Sequence, residues 1–356
     1  MFELSMYYYI VGIAVILLLA TLTSLQIRRK KRGRQADRAL YISALQALLE
    51  GDQVEAFYML KEVVAQDSEN IDAYLRLGRI LADRGKVKQA IQIHADLLLR
   101  SHLSPAQKQA INHHLIDDYV LDKQTGKAIA MLAAEFERDT ADHESGERLL
   151  DLLAQEGKWE EAEVIAEKLY KSDREAYKSR VADVKIRLGE YWEEHGKGRK
   201  ARTLYKTAYH LDPSKVETWI KLGDSYTTEE RFEEAVKSWM SFVEIVPAQA
   251  HRVFDRLKRS LFDLGQFNAI AGIFERILEK DPNNQYAAMA LADLYEKKGN
   301  HSQAEEYYRQ VIDFSPQFAP AKLGLARLYR EQGRMDEAFD ILERLFNQHE
   351  AVKQGT

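Results

Sequence analysis

His113, His114 and Asp117 set an imidazole and a carboxylate four residues apart, the spacing at which two side chains on one helix face can share a metal ion. No third ligand stands nearby in sequence, so they read as a surface histidine pair, and His94 reads as a packing residue on a neighbouring helix. Gly196, Lys197, Gly198, Arg199 and Lys200 have the flavour of a phosphate-cradling loop, but no strand precedes them and no Ser or Thr follows the lysine. They read as a turn between helices. The absence of cysteine excludes thiolate nucleophiles, cysteine-held zinc and disulfides. Neither Gly-x-Ser-x-Gly nor His-Glu-x-x-His occurs, so no catalytic residue, metal or cofactor is assigned. The chemistry that remains is recognition by carboxylates: Asp117, Glu144, Glu147, Asp151, Asp183, Glu190, Glu193, Glu194, Glu217 and Asp224. Brought onto one wall, they would attract a Lys- and Arg-rich segment of a protein client.

A repeat can bring them there. Ala56, Ala90, Ala128, Ala162, Ala201, Ala235, Ile270, Ala304 and Ala338 recur with a period of about 34 residues, stretched between Ala90 and Ala128 and again between Ala162 and Ala201. Glycine stands five residues before most of them (Gly51, Gly85, Gly157, Gly196, Gly265, Gly299, Gly333), and Pro213, Pro247, Pro282 and Pro316 stand twelve residues after. Glycine serves a tight turn before a second helix, and proline ends the unit. Small residues at Gly78, Gly189, Gly223, Ala292 and Ala326 would let the paired helices approach. The pattern resembles the tetratricopeptide (TPR) repeat, a unit of two antiparallel helices. The clearest copy runs from Val216 through Trp219, Leu222, Gly223, Tyr226, Ala235, Trp239 and Phe242 to Pro247. The expected fold is an all-α TPR solenoid of about nine repeats over residues 37–347, with a frayed tail at 348–356. The two long spacings call for extra residues near His102–Ala106 and Lys171–Tyr177, as longer loops or longer helices.

In that register the groove-facing positions are the second, fifth, ninth, twelfth and thirteenth of each first helix. Over the four units starting at Gln109, His143, Ala182 and Val216, ten of these twenty positions are acidic and none is Lys or Arg; 56 acids in 356 residues would give about three. The flanking units are mixed, with Arg79, Arg252, Arg259, Arg327 and Arg330 on the same face.

At the other end of the chain, the run from Leu4 to Ile27 carries no charged residue and is long enough to span a bilayer. Arg28, Arg29, Lys30, Lys31, Arg32 and Arg34 follow at once, within a basic stop at residues 28–36. The positive-inside rule places the N-terminus outside a bacterial inner membrane, with the repeats in the cytoplasm behind a single-pass helix in residues 1–27. Without these six bases and Glu3, residues 35–356 hold 45 bases against 55 acids, which argues against nucleic acid as a partner.

Anchor, basic stop and cytoplasmic repeats in this order resemble the lipopolysaccharide assembly protein B family. The stretch GKVKQAIQIHADL (Gly85 to Leu97), LSPAQ (Leu103 to Gln107) and the offset repeat running to Phe136 carry the resemblance. It implies an adaptor, not an enzyme, that governs proteolysis of a lipid A enzyme through a membrane-bound protease. The family ends in a four-cysteine metal module; with no cysteine in this chain, that site is not carried over. The alternative reading is a structural assembly subunit of an inner-membrane secretion, pilus or cofactor-maturation complex.

Overall fold

A computed structural model describes residues 38–354, with side chains to 347. The span expected at Leu4–Ile27 and the basic stop lie outside the described residues. Among the described residues, no helix is long and apolar enough to cross a membrane.

The chain folds as helices joined by short turns, with no strand among the described residues. Helix α1 covers residues 38–49. There follow α2 (Gln53–Gln66), α3 (Ile71–Asp83), α4 (Val87–Leu98), α5 (Pro105–Leu121), α6 (Thr125–Arg138), α7 (His143–Gln155), α8 (Trp159–Ser172) and α9 (Arg174–Glu194). Then come α10 (Gly198–Leu211), α11 (Glu217–Thr227), α12 (Phe232–Ile245), a 3-10 helix (Pro247–Val253), α13 (Phe254–Asp263) and α14 (Ala269–Lys280). The array ends in α15 (Gln285–Lys297), α16 (His301–Phe314), α17 (Ala319–Glu331) and α18 (Met335–Gln354). Two compact units divide at Leu152 and Leu153.

The helix starts are written locally. Ser104 and Gln107 form a reciprocal capping box ahead of Pro105, and Asp173 caps α9 by accepting from the Ala176 N–H. The extra residues of the two long spacings fall largely in lengthened first helices: α5 has 17 residues and α9 has 21, against 13 in α3.

All seven spacing glycines adopt positive φ, between 69° and 84°. The two repeats without glycine force Lys123 (φ 58°) and Glu230 (φ 56°) into the same left-handed conformation, because the turn geometry is set by the helices it joins. A side chain there costs about 1–2 kcal/mol, partly offset by the greater freedom glycine has when unfolded. Glu230→Gly is therefore expected to raise stability by about 0.5–1 kcal/mol, read as a higher urea midpoint.

Packing within the pairs follows a size rule. A Cβ on Gly78 would lie 2.2 Å from the His94 ring, one on Gly189 2.4 Å from Tyr205, and one on Gly223 2.2 Å from Trp239. Each glycine admits a ring from the second helix of its own repeat. Gly324 is an addition that the repeat pattern does not show: it admits Tyr308 from the preceding repeat.

In the second unit, Glu305 of α16 accepts from the Tyr329 hydroxyl (2.6 Å), Arg334 Nη1 (2.7 Å) and Arg309 Nε (2.9 Å). Burial alone would raise its pKa, but these three donors outweigh it and hold the carboxyl down at about 2, from an ordinary 4.5. The folded value is the lower one, so the stabilisation is present above pH 4.5 and is lost as pH falls towards 2. Its size is on the order of 1–2 kcal/mol, below the full shift because the group still meets solvent. Glu305→Gln is expected to flatten this part of the stability–pH profile, measured by urea unfolding at pH 7, 4.5 and 2.5.

Candidate protein-interaction site

In the first unit, Asp117 of α5 and Glu144, Glu147 and Asp151 of α7 are the candidate acids. Asp117 is clamped by the Arg148 guanidinium and lies 3.7 Å from Arg79. These groups border a cavity of about 420 Å³ whose apolar wall includes Val120, Leu121 and Leu152. Glu144 is exposed.

In the second unit, four of the six candidates are held by bases from the next repeat. Lys215 Nζ is 2.6 Å from Asp183, Lys221 Nζ donates to Glu190 at 2.5 Å, and Arg252 Nη2 donates to Glu217 at 2.7 Å. Arg256 Nε donates to Asp224 at 2.7 Å, and Asp224 also accepts from the Trp239 indole at 3.2 Å. Burial would raise the Glu190 pKa, but Lys221 and Arg187 outweigh it and hold the carboxyl below its ordinary range. Glu193 and Glu194 close the last turn of α9. Glu194 is exposed; Glu193 is half-buried, and its Oε1 has no hydrogen-bond partner among the described residues.

The bases were missed by reading groove positions alone. Arg148, Lys221 and Arg256 stand at the sixth position of their first helices, one turn to the side, and their long stems reach the ninth-position acids of the preceding repeat. The sequence signal is a Lys or Arg that follows an acid at slightly less than the repeat period. Part of the acid excess thus ties neighbouring repeats together, each tie worth about 0.2–1 kcal/mol.

His94 is fully buried, with Nδ1 2.6 Å from Asp118 Oδ2 and Nε2 3.3 Å from the Leu75 carbonyl. The His114 ring lies 5.2 Å from it, and burial, with His94 alongside, lowers the His114 pKa. His113 Nε2 is 3.7 Å from Glu135. Among the described residues, no group of three or more His, Asp or Glu is placed to hold a metal ion. Gly196, at φ 69°, makes the turn between α9 and α10.

The tetratricopeptide repeat signature matches residues 47–112, 261–311 and 297–351. Lipopolysaccharide assembly protein B of Escherichia coli K12 is 22% identical over 278 residues, covering 78% of this chain and 71% of that protein. Its Haemophilus influenzae counterpart is 24% identical over 332 residues, covering 88% and 81%. The crystal structure of MamA aligns at 24% identity and a TM-score of 0.34, covering 47% of this chain and 97% of that one. Residues 47–112 and 261–351 carry the tetratricopeptide repeat signature, and the chain resembles lipopolysaccharide assembly protein B over most of its length.

Proposed function

We propose that the protein is a membrane-anchored adaptor that binds a client by its acidic first-helix faces and acts by recognition, not catalysis. The Leu4–Ile27 span would hold it in a bacterial inner membrane, N-terminus out, with the repeats on the cytoplasmic side. The observation that carries the binding reading is the end of α9, where a buried oxygen of Glu193 lacks a hydrogen-bond partner among the described residues, beside an exposed Glu194. A Lys or Arg of the client would satisfy it, since an unpaired buried acceptor costs about 1–3 kcal/mol. Similarity to lipopolysaccharide assembly protein B supports a client in lipopolysaccharide synthesis, such as a lipid A enzyme or a membrane-bound protease. Anchoring both to one bilayer raises their effective concentration.

The variant that tests this spares the acids tied to neighbouring repeats: Glu144→Lys, Glu193→Lys and Glu194→Lys together. Proteome-wide quantification in cells carrying this variant should show the same altered abundance of lipid A enzymes as cells lacking the protein. Unchanged client abundance, with a fixed set of subunits co-purifying at constant ratio, contradicts the adaptor reading and favours a structural subunit.

A further inference from the structure

The last helix exposes an apolar stripe that the repeats before it do not. Met335, Phe339, Leu342 and Phe346 lie along one face of α18 and are 59%, 64%, 44% and 65% exposed. In α12 the residues at three of the same repeat positions, Val236, Trp239 and Val243, pack into one cluster with Val253, Phe254 and Leu257 of the following repeat. The α18 stripe is therefore a repeat-stacking face without a repeat on it among the described residues. At the other end, α1 exposes Ile42 (56%) and Leu49 (88%), two turns apart on one face. Solenoid ends ordinarily turn a polar face to solvent, and apolar patches of this kind mark contact surfaces.

We infer that the occupant of the α18 stripe is α1 of a second copy of this chain, which makes the protein self-associate end to end. Charge selects this pairing over a two-fold contact between two α18 helices. Asp336 and Glu343 lie together on one flank of the stripe. Antiparallel pairing of two α18 helices would set Asp336 of each copy against Glu343 of the other, two like-charged contacts. Helix α1 carries Arg38 one turn before Ile42, on the same face, where it meets that acidic flank with the opposite sign. The contact is heterologous, joining different surfaces of the two copies. It involves none of the candidate client-binding acids.

The test uses the full-length chain in detergent micelles, with mass measured over a dilution series. Wild type is expected to associate as concentration rises. Phe339→Asp with Phe346→Asp, and separately Ile42→Asp with Leu49→Asp, should each abolish association while leaving helicity intact, because all four side chains are exposed. Mixing the two variants should restore pairs and nothing larger, since each mixed pair has one intact head and one intact tail. The chain has no cysteine, so a mixture of Ile42→Cys and Phe339→Cys copies should form interchain disulfides on oxidation without background. A wild type that stays monomeric, association that survives either variant, or a mixture that fails to pair overturns the inference.

Discussion

Asp118→Leu is expected to destabilise the N-terminal unit by about 3–5 kcal/mol, the effect of removing one partner of a buried ion pair or its hydrogen-bonded equivalent. His94 has no exposure, and both its ring nitrogens face acceptors, Asp118 at 2.6 Å and the Leu75 carbonyl at 3.3 Å. Without the carboxylate, a polar ring stays in the core with one nitrogen unmatched. His94 occupies the place that Tyr205 and Trp239 fill in their repeats, over a glycine that leaves room for a ring. Adding His94→Phe to Asp118→Leu is expected to recover most of the loss, since apolar replacement of a whole buried pair is often neutral or stabilising. A double-mutant cycle by urea unfolding checks both steps. A double variant no more stable than Asp118→Leu would mean that the pair is not what holds this site.

Gly223→Ala is the second large effect. The added methyl would sit 2.2 Å from the Trp239 indole nitrogen and 2.5 Å from its Cδ1. Trp239 is 1% exposed at the centre of a cluster with Phe242, Phe254 and Leu257, so it cannot swing away without opening that core. The expected cost is about 3 kcal/mol, the upper end for overpacking, seen as a lower unfolding midpoint. Trp239→Leu should partly rescue Gly223→Ala although it destabilises alone, because it removes the ring that the methyl strikes. The ninth repeat already pairs an alanine, Ala326, with a leucine, Leu342, at these two positions.

These two sites show how far the sequence carries. The repeat register was legible from Ala, Gly and Pro spacing, because each residue answers a local demand: a close helix approach, a positive φ, a helix end. Lys123 and Glu230 depart from the glycine rule, yet the backbone follows the register regardless, since two packed helices dictate the turn between them. His94 was legible as a core residue from its position. Its partner Asp118 was not, because a buried carboxylate on α5 looks in sequence like its half-buried neighbour Asp117. The acidic addresses were legible for the same periodic reason, whereas the bases that answer several of them lie off the groove register. Arg148, Lys221 and Arg256 pair with acids slightly less than one repeat period back, which a search at the full period passes over. The apolar stripe on α18 has the composition of any second helix; only the exposure of Phe339 and Phe346 distinguishes it.

The most direct test of the adaptor account is zero-length carboxyl-to-amine crosslinking in membranes holding the full-length protein, read by mass spectrometry. Crosslinks between Asp183 and Lys215 and between Glu190 and Lys221 serve as internal standards, since these pairs lie 2.6 and 2.5 Å apart. The account predicts further crosslinks from Glu144, Glu193 and Glu194 to lysines within a basic segment of another protein. They should vanish in the triple lysine variant while the internal pairs persist. Internal crosslinks alone, with no client lysine on any of the three acids, would contradict it.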